Sequence, residues 1–154
     1  MQQYIGTKII KTWPARRCTF IGGKVVYACL DEIVPAGCKI EEGYRVEYAD
    51  GYLSWSPKDV FEEAYRQTDH MNFGLAIEAA KKGKKIARAG WNGKNQYVEL
   101  ATCISYRNAA GEDINVNHDA IGNKALAFVG TSGVQMGWLA SQADMLADDW
   151  RIVE

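Results

Sequence analysis

Histidine and closely paired cysteine are scarce in this chain, which limits its metal chemistry. There are two histidines, His70 and His118, and four cysteines, Cys18, Cys29, Cys38 and Cys103, none of them in a C-x-x-C pair. A structural zinc site draws its ligands from closely spaced Cys and His. No metal site is therefore expected, and the cysteines read as free thiols of a reducing compartment. An excess of charge of one sign is also lacking. Lys and Arg number 18 and Asp and Glu 19, a formal net charge of −1. A general DNA or RNA binder needs a basic surface for its phosphate contacts, so that role is disfavoured. One small phosphorylated ligand needs only a few local donors and stays open. No apolar run reaches the ~20 residues that span a bilayer. The start, Met1-Gln2-Gln3-Tyr4, does not read as a signal peptide. No membrane partner is expected, and the protein is expected to stay in the cytoplasm where it is made.

Recognisable catalytic groupings are missing too. The Gly93-Lys94 pair does not complete a phosphate loop of the G-x-x-x-x-G-K-[ST] type. Asn95 follows it, and Arg88 stands where the first glycine belongs. No catalytic residue and no cofactor is nominated.

What is present is ordinary globular composition, 47% hydrophobic and 24% charged over 154 residues, enough for one domain or two small ones. Residues 1–66 read as a small strand-rich module. Tyr4 to Ile10 suggests a strand. Thr19-Phe20-Ile21 and Lys24 to Ala28 flank Gly22-Gly23 as a hairpin. Tyr44 to Tyr48 and Tyr52 to Trp55 are strands around an Ala49-Asp50-Gly51 turn. Ser56 is expected to cap a helix that has Pro57 at its first position.

Gln67 to His70 reads as a linker. From residue 71 a second domain, 71–154, begins with a helix capped by Asn72. Its apolar face holds Phe73, Ile77 and Ala80, and it stops at Gly83. Lys84 to Arg88 and Gln96 to Leu100 should be paired strands, with further antiparallel strands over 103–137. Residues 115–123 are expected to be a polar surface loop. Leu139, Ala143, Leu146 and Trp150 recur at helical spacing and predict a C-terminal helix. A short terminal strand, Trp150 to Val153, follows. The fold class is α+β: the strand-rich module, then an antiparallel sheet packed by an N-terminal and a C-terminal helix.

Two segments carry the candidate chemistry. In Gly90-Trp91-Asn92-Gly93-Lys94 the glycines allow a ligand to approach closely. An indole can stack on a nucleobase, Asn92 can donate and accept, and Arg88 and Lys94 could meet phosphates. The competing reading is a hairpin with Asn92-Gly93 as the turn and Trp91 plugging the core. In the segment from Trp138 to Trp150, Asp144 and Asp148 stand at i, i+4 beside Asp149. They could hold magnesium or act as acid and base. The competing reading is a solvated acidic face. His118 with Asp119 has no nucleophile near it in sequence.

Three ordered stretches resemble the second Thoeris anti-defence family of bacteriophages: Met71 to Ala79, Ala87 to Lys94, and Trp138 to Trp150. The stretch from Tyr4 to Arg66 is similar to a small module common in phage proteins. The family resemblance implies a non-enzymatic sponge. Such a protein binds glycocyclic ADP-ribose, and in some members cyclic dinucleotides, without cleaving it. It also implies a homotetramer with pockets between protomers, working in the cytoplasm of the infected bacterium. On that resemblance the ligand-binding residues are Trp91 for stacking, Asn92 and Gln96 for hydrogen bonds to ribose or phosphate, Arg88 and Lys94 for charge, and Asp144 for a polar group. The alternatives are a metal-dependent enzyme that degrades such signals and a protein-interaction module without catalysis.

Overall fold

The computed structural model describes residues 2–3, 7–91, 93–119 and 124–154. It divides into two compact units, Met1–Arg66 and Gln67–Glu154. The architecture is α+β, with mostly antiparallel sheets and few helices.

The first unit is a four-stranded antiparallel sheet. Its strands are β1 (Lys11–Phe20), β2 (Val25–Cys29), β3 (Cys38–Glu47) and β4 (Leu53–Pro57), in the order β2-β1-β3-β4. Helix α1 (Lys58–Ala64) follows directly. The glycine turn behaves as the sequence suggests. Gly22 and Gly23 both have positive φ, and Phe20 N–H donates to the Lys24 carbonyl at 2.9 Å. Two expectations fail. Tyr4, Ile5 and Gly6 lie outside the described residues, and residues 7–10 are not strand. The reason is that β3 ends at Glu47, opposite Lys11, leaving residues 7–10 no ladder to join. Ser56 does not cap the helix, because it pairs with Tyr44 in the β3–β4 ladder. Pro57 occupies the cap position without a side-chain bond. The core of this unit buries Ala15, Cys18, Ala28, Val46 and Phe61, and Phe61 stacks on Tyr44 at 4.3 Å.

The second unit opens with α2 (Phe73–Lys81). The Asn72 side chain accepts the Leu75 N–H at 2.9 Å, and Gly83, at positive φ, ends the helix by donating to the Ala80 carbonyl. The face it buries is Ala76, Ala79 and Ala80 rather than the expected Phe73, Ile77 and Ala80; Phe73 and Ile77 are half-buried. Alanines let the helix lie close on a five-stranded sheet. That sheet consists of β5 (Lys85–Arg88), β6 (Tyr97–Ala101), β9 (Ala125–Gly130), β10 (Gly133–Met136) and β11 (Trp150–Val153), in the order β10-β9-β6-β5-β11. A two-stranded hairpin, β7 (Tyr106–Arg107) and β8 (Asp113–Ile114), stands apart from it. Residues 67–70 are not a bare linker: the Thr68 carbonyl accepts the Ile152 N–H at 2.8 Å. Of the expected loop over 115–123, residues 120–123 lie outside the described residues.

The C-terminal helix needs the largest correction. Helix α3 is one turn, Gln142–Met145. Leu139 and Leu146 of the expected apolar stripe are 88% and 78% exposed, while Trp150 is fully buried at the start of β11. A capping box between Ser141 and Asp144 fixes this turn. The chain then leaves it to reach the sheet edge, where Trp150 exchanges two backbone bonds with Met71, at 2.8 and 3.1 Å. Trp150, Met71, Ala76, Ala79, Ala80, Ile86 and Val98 form the core.

Candidate functional site

The site grows from the loop between β5 and β6. Arg88 ends β5 opposite Trp150. Past it, Ala89 N–H donates to the Asp149 carbonyl at 3.0 Å and Gly90 N–H to Asp149 Oδ2 at 2.9 Å. The backbone leading to Trp91 is thus held against the segment before β11. β5 and β6 are joined by residues 89–96, and of the expected Asn92-Gly93 turn Asn92 lies outside the described residues.

Trp91 is half-buried against the core. Its ring meets Phe128, Trp138 and Trp150 edge to face, with centroids 5.6, 5.9 and 5.4 Å away. Edge-to-face packing sets the electropositive rim of one ring on the electronegative face of another. Phe128 comes from β9, and Trp138 is fixed by its N–H to the Leu126 carbonyl at 2.9 Å. Trp91, Gly93, Gln96, Phe128, Trp138 and Asp144 line an open cleft of about 310 Å³. Trp91 therefore both closes the edge of the core and forms a wall of the cleft. Gln96 lies over Gly93, where a β-carbon would overlap its carboxamide.

Below the indole lies a charged cluster. Arg88 Nε donates to Asp149 Oδ1 at 2.8 Å, and Arg88 Nη1 to Asp144 Oδ1 at 3.0 Å. Trp91 Nε1 donates to Asp144 Oδ1 at 3.2 Å. Burial alone would push the Asp144 carboxyl up. Donors from Ser141, Arg88 and Trp91 outweigh it and hold the carboxyl down at about 2. The Arg88 guanidinium, foremost, holds Asp149 below the usual carboxylate range. The two carboxylates in turn raise Arg88. All three stay charged at neutral pH, and the cluster carries one net negative charge.

Of the residues expected in the site, Trp91, Gln96 and Asp144 line one cleft. Arg88 lies beneath the cleft, its guanidinium bound to two carboxylates. Lys94 is exposed and next in sequence to Gly93, and Asn92 lies outside the described residues. The expected pairing of Asp144 with Asp148 gives way to a pairing of Asp144 with Asp149 across Arg88, because the helix ends before Asp148, which is exposed. Among the described residues no group of three His, Cys, Asp or Glu side chains could hold a metal ion. His118 is exposed, its N–H bonded to the Asn115 carbonyl at 3.1 Å. Sequence reasoning weighed Asp149 only as a metal or acid-base candidate and Trp138 only as the first residue of a candidate segment, and it missed Phe128 and Ser141 as parts of the site. Only Ser141 had a local signal, the Ser-x-x-Asp spacing of a capping box.

Residues 71–153, all in the second unit, match the family model of the Thoeris anti-defense 2-like domain, Tad2-like. The chain is also 36% identical over 86 residues to Thoeris anti-defense 2 of Bacillus phage SP01. That alignment covers 54% of this chain and 94% of the phage protein.

Proposed function

The chain belongs to the Thoeris anti-defense 2-like family, and from that membership, which supports a phage anti-defence role, we propose that it sequesters a cyclic nucleotide-like immune signal without cleaving it. Glycocyclic ADP-ribose is the first candidate and cyclic dinucleotides the second. The observation that carries this reading is the aromatic cleft. Trp91, Trp138 and Phe128 offer ring surface for a planar base, and Gln96 offers both a donor and an acceptor at its rim. Ligand sites commonly combine aromatic walls with a few placed polar groups.

The charged groups nearest the cleft are occupied by one another. Asp144 and Asp149 both face Arg88 rather than a common open point. That arrangement supports holding a ligand over activating water. The cleft is open, which suits a homo-oligomer, such as a tetramer, in which a second copy completes the pocket. Lys94, exposed and next in sequence to the cleft residue Gly93, would meet phosphate. None of the described helices is long and apolar enough to cross a membrane, in keeping with action on a dissolved signal in the host cytoplasm.

Native mass spectrometry of the protein mixed with glycocyclic ADP-ribose tests the reading. Intact ligand mass on an oligomer is expected. A shift of the ligand pool to a cleaved product would replace sequestration with catalysis.

A further inference from the structure

Asp144 receives more hydrogen bonds than a residue waiting for a ligand should. Arg88 Nη1 and Trp91 Nε1 donate to its Oδ1 at 3.0 and 3.2 Å. Ser141 N–H and Ser141 Oγ donate to its Oδ2 at 3.1 and 2.7 Å. A carboxylate has about four lone-pair sites, and here all four meet donors. The side chain is 14% exposed, so only its edge reaches the cleft. The backbone carbonyl of the same residue accepts Trp150 Nε1 at 2.9 Å. One residue thus fixes two indoles that pack edge to face, one through its side chain and one through its main chain.

We infer that Asp144 is a positioning residue, which sets the plane of Trp91 for the ligand and does not itself contact it. The inference rests on the proposed cleft function. Asp149 does the matching work on the main chain: its carboxylate takes Gly90 N–H and Arg88 Nε, fixing the turn from which Trp91 projects. Arg88 joins the two carboxylates, so indole and backbone are held by one connected network. Preorganisation of this kind favours binding because the indole's freedom is already lost before the ligand arrives. Among the described residues nothing hydrogen-bonds the Gln96 carboxamide, so the polar recognition left to the cleft falls to Gln96 rather than to the carboxylate.

The test uses the full chain with 15N-labelled tryptophan, without ligand and then with glycocyclic ADP-ribose. The indole N–H signal of Trp91 is assigned by its loss in Trp91→Phe. Trp13 and Trp55, in the first unit, serve as internal references. Asp144→Asn replaces one oxygen by a donor, and the ligand-free Trp91 signal is expected to move upfield while Trp13 and Trp55 stay. Ser141→Ala, which leaves Asp144 in place, moves it less. With ligand, Asp144→Asn is expected to weaken binding by about tenfold, the size of a lost charge-assisted bond. The double variant Trp91→Phe/Asp144→Asn should bind as weakly as Trp91→Phe alone, because Asp144 acts through Trp91. A Trp91 signal that stays put in folded Asp144→Asn overturns the inference, as do losses that add in the double variant. Should Asp144→Asn not fold, the Ser141→Ala shift decides in its place. If the unmutated chain holds no glycocyclic ADP-ribose, the proposed function fails. The ligand-free spectrum then still decides whether Asp144 positions Trp91.

Discussion

The Gln96 carboxamide occupies the space that a β-carbon on Gly93 would need. Both residues line the cleft, so the absence of a side chain at one sets the position of the other. Gly93→Ala would force the Gln96 side chain out over the cleft. Since the displaced atoms are the far end of a flexible side chain, the expected cost to stability is under about 1 kcal/mol. Ligand affinity, measured by calorimetric titration, should fall several-fold. Unchanged affinity would remove Gln96 from the site.

Acid should dismantle the cluster beneath the indole. Asp144 is held at about 2, and Asp149 is also lowered. Unfolded aspartate titrates near 3.9. A carboxyl with a depressed folded value contributes stability that is fully present above the unfolded value and is lost as pH falls through the folded one. Melting temperature of the second unit should therefore be insensitive to these groups above about pH 5 and fall between about pH 4 and pH 2. Asp144→Asn should melt lower at neutral pH and show a shallower acid fall. An equally steep fall in that variant would show that other groups carry the acid sensitivity.

In the first unit Gly43 lies under Trp55 and the Ser56 carbonyl, both of which a β-carbon would strike. Backbone cannot move aside as a side-chain tip can. Gly43→Ala should destabilise this unit by about 1–3 kcal/mol, the usual penalty of overpacking. Denaturant unfolding followed through Trp55 would read the loss. Ligand retention, placed wholly in the second unit, should persist while the first unit is loosened. Its disappearance would assign residues 1–66 a part in binding.

Much of the second unit was legible in the sequence wherever local chemistry decides. Asn72 and Gly83 bracket α2 because a capping side chain and a left-handed glycine act within a few residues. Gly130 to Gly133, and Gly22-Gly23 in the first unit, turn the chain for the same reason. The stripe of Leu139, Ala143, Leu146 and Trp150 misled, since periodicity does not reveal that a strand partner claims Trp150. Its pairing with Arg88 and its bridge to Met71 outweigh another helical turn. Thr7 to Ile10 misled in the same way, because a strand needs a neighbour, and β3 ends at Glu47.

The site itself was half legible. Trp91 stood out because glycines flank it. The role of Arg88 did not, because its two carboxylates lie more than fifty residues away in the chain, at separations of 56 and 61. A lone arginine before a glycine-rich turn reads as a phosphate ligand until its partners are known. Phe128 and Trp138 reach the cleft only through sheet register and a loop bond to Leu126.

On the proposed function, Trp91 is the wall against which an intact signal molecule is held. The direct measurement compares unmutated protein with Trp91→Ala. Each is mixed with glycocyclic ADP-ribose, filtered free of unbound ligand and heated, and the released molecule is weighed by mass spectrometry. Trp91→Ala removes a half-buried ring and should cost about 2–4 kcal/mol of stability, so its folded state is checked by circular dichroism before mixing. With Trp91 as that wall, the unmutated protein should release intact ligand and folded Trp91→Ala almost none. Equal retention by both proteins, or release of a cleaved product, would contradict this reading.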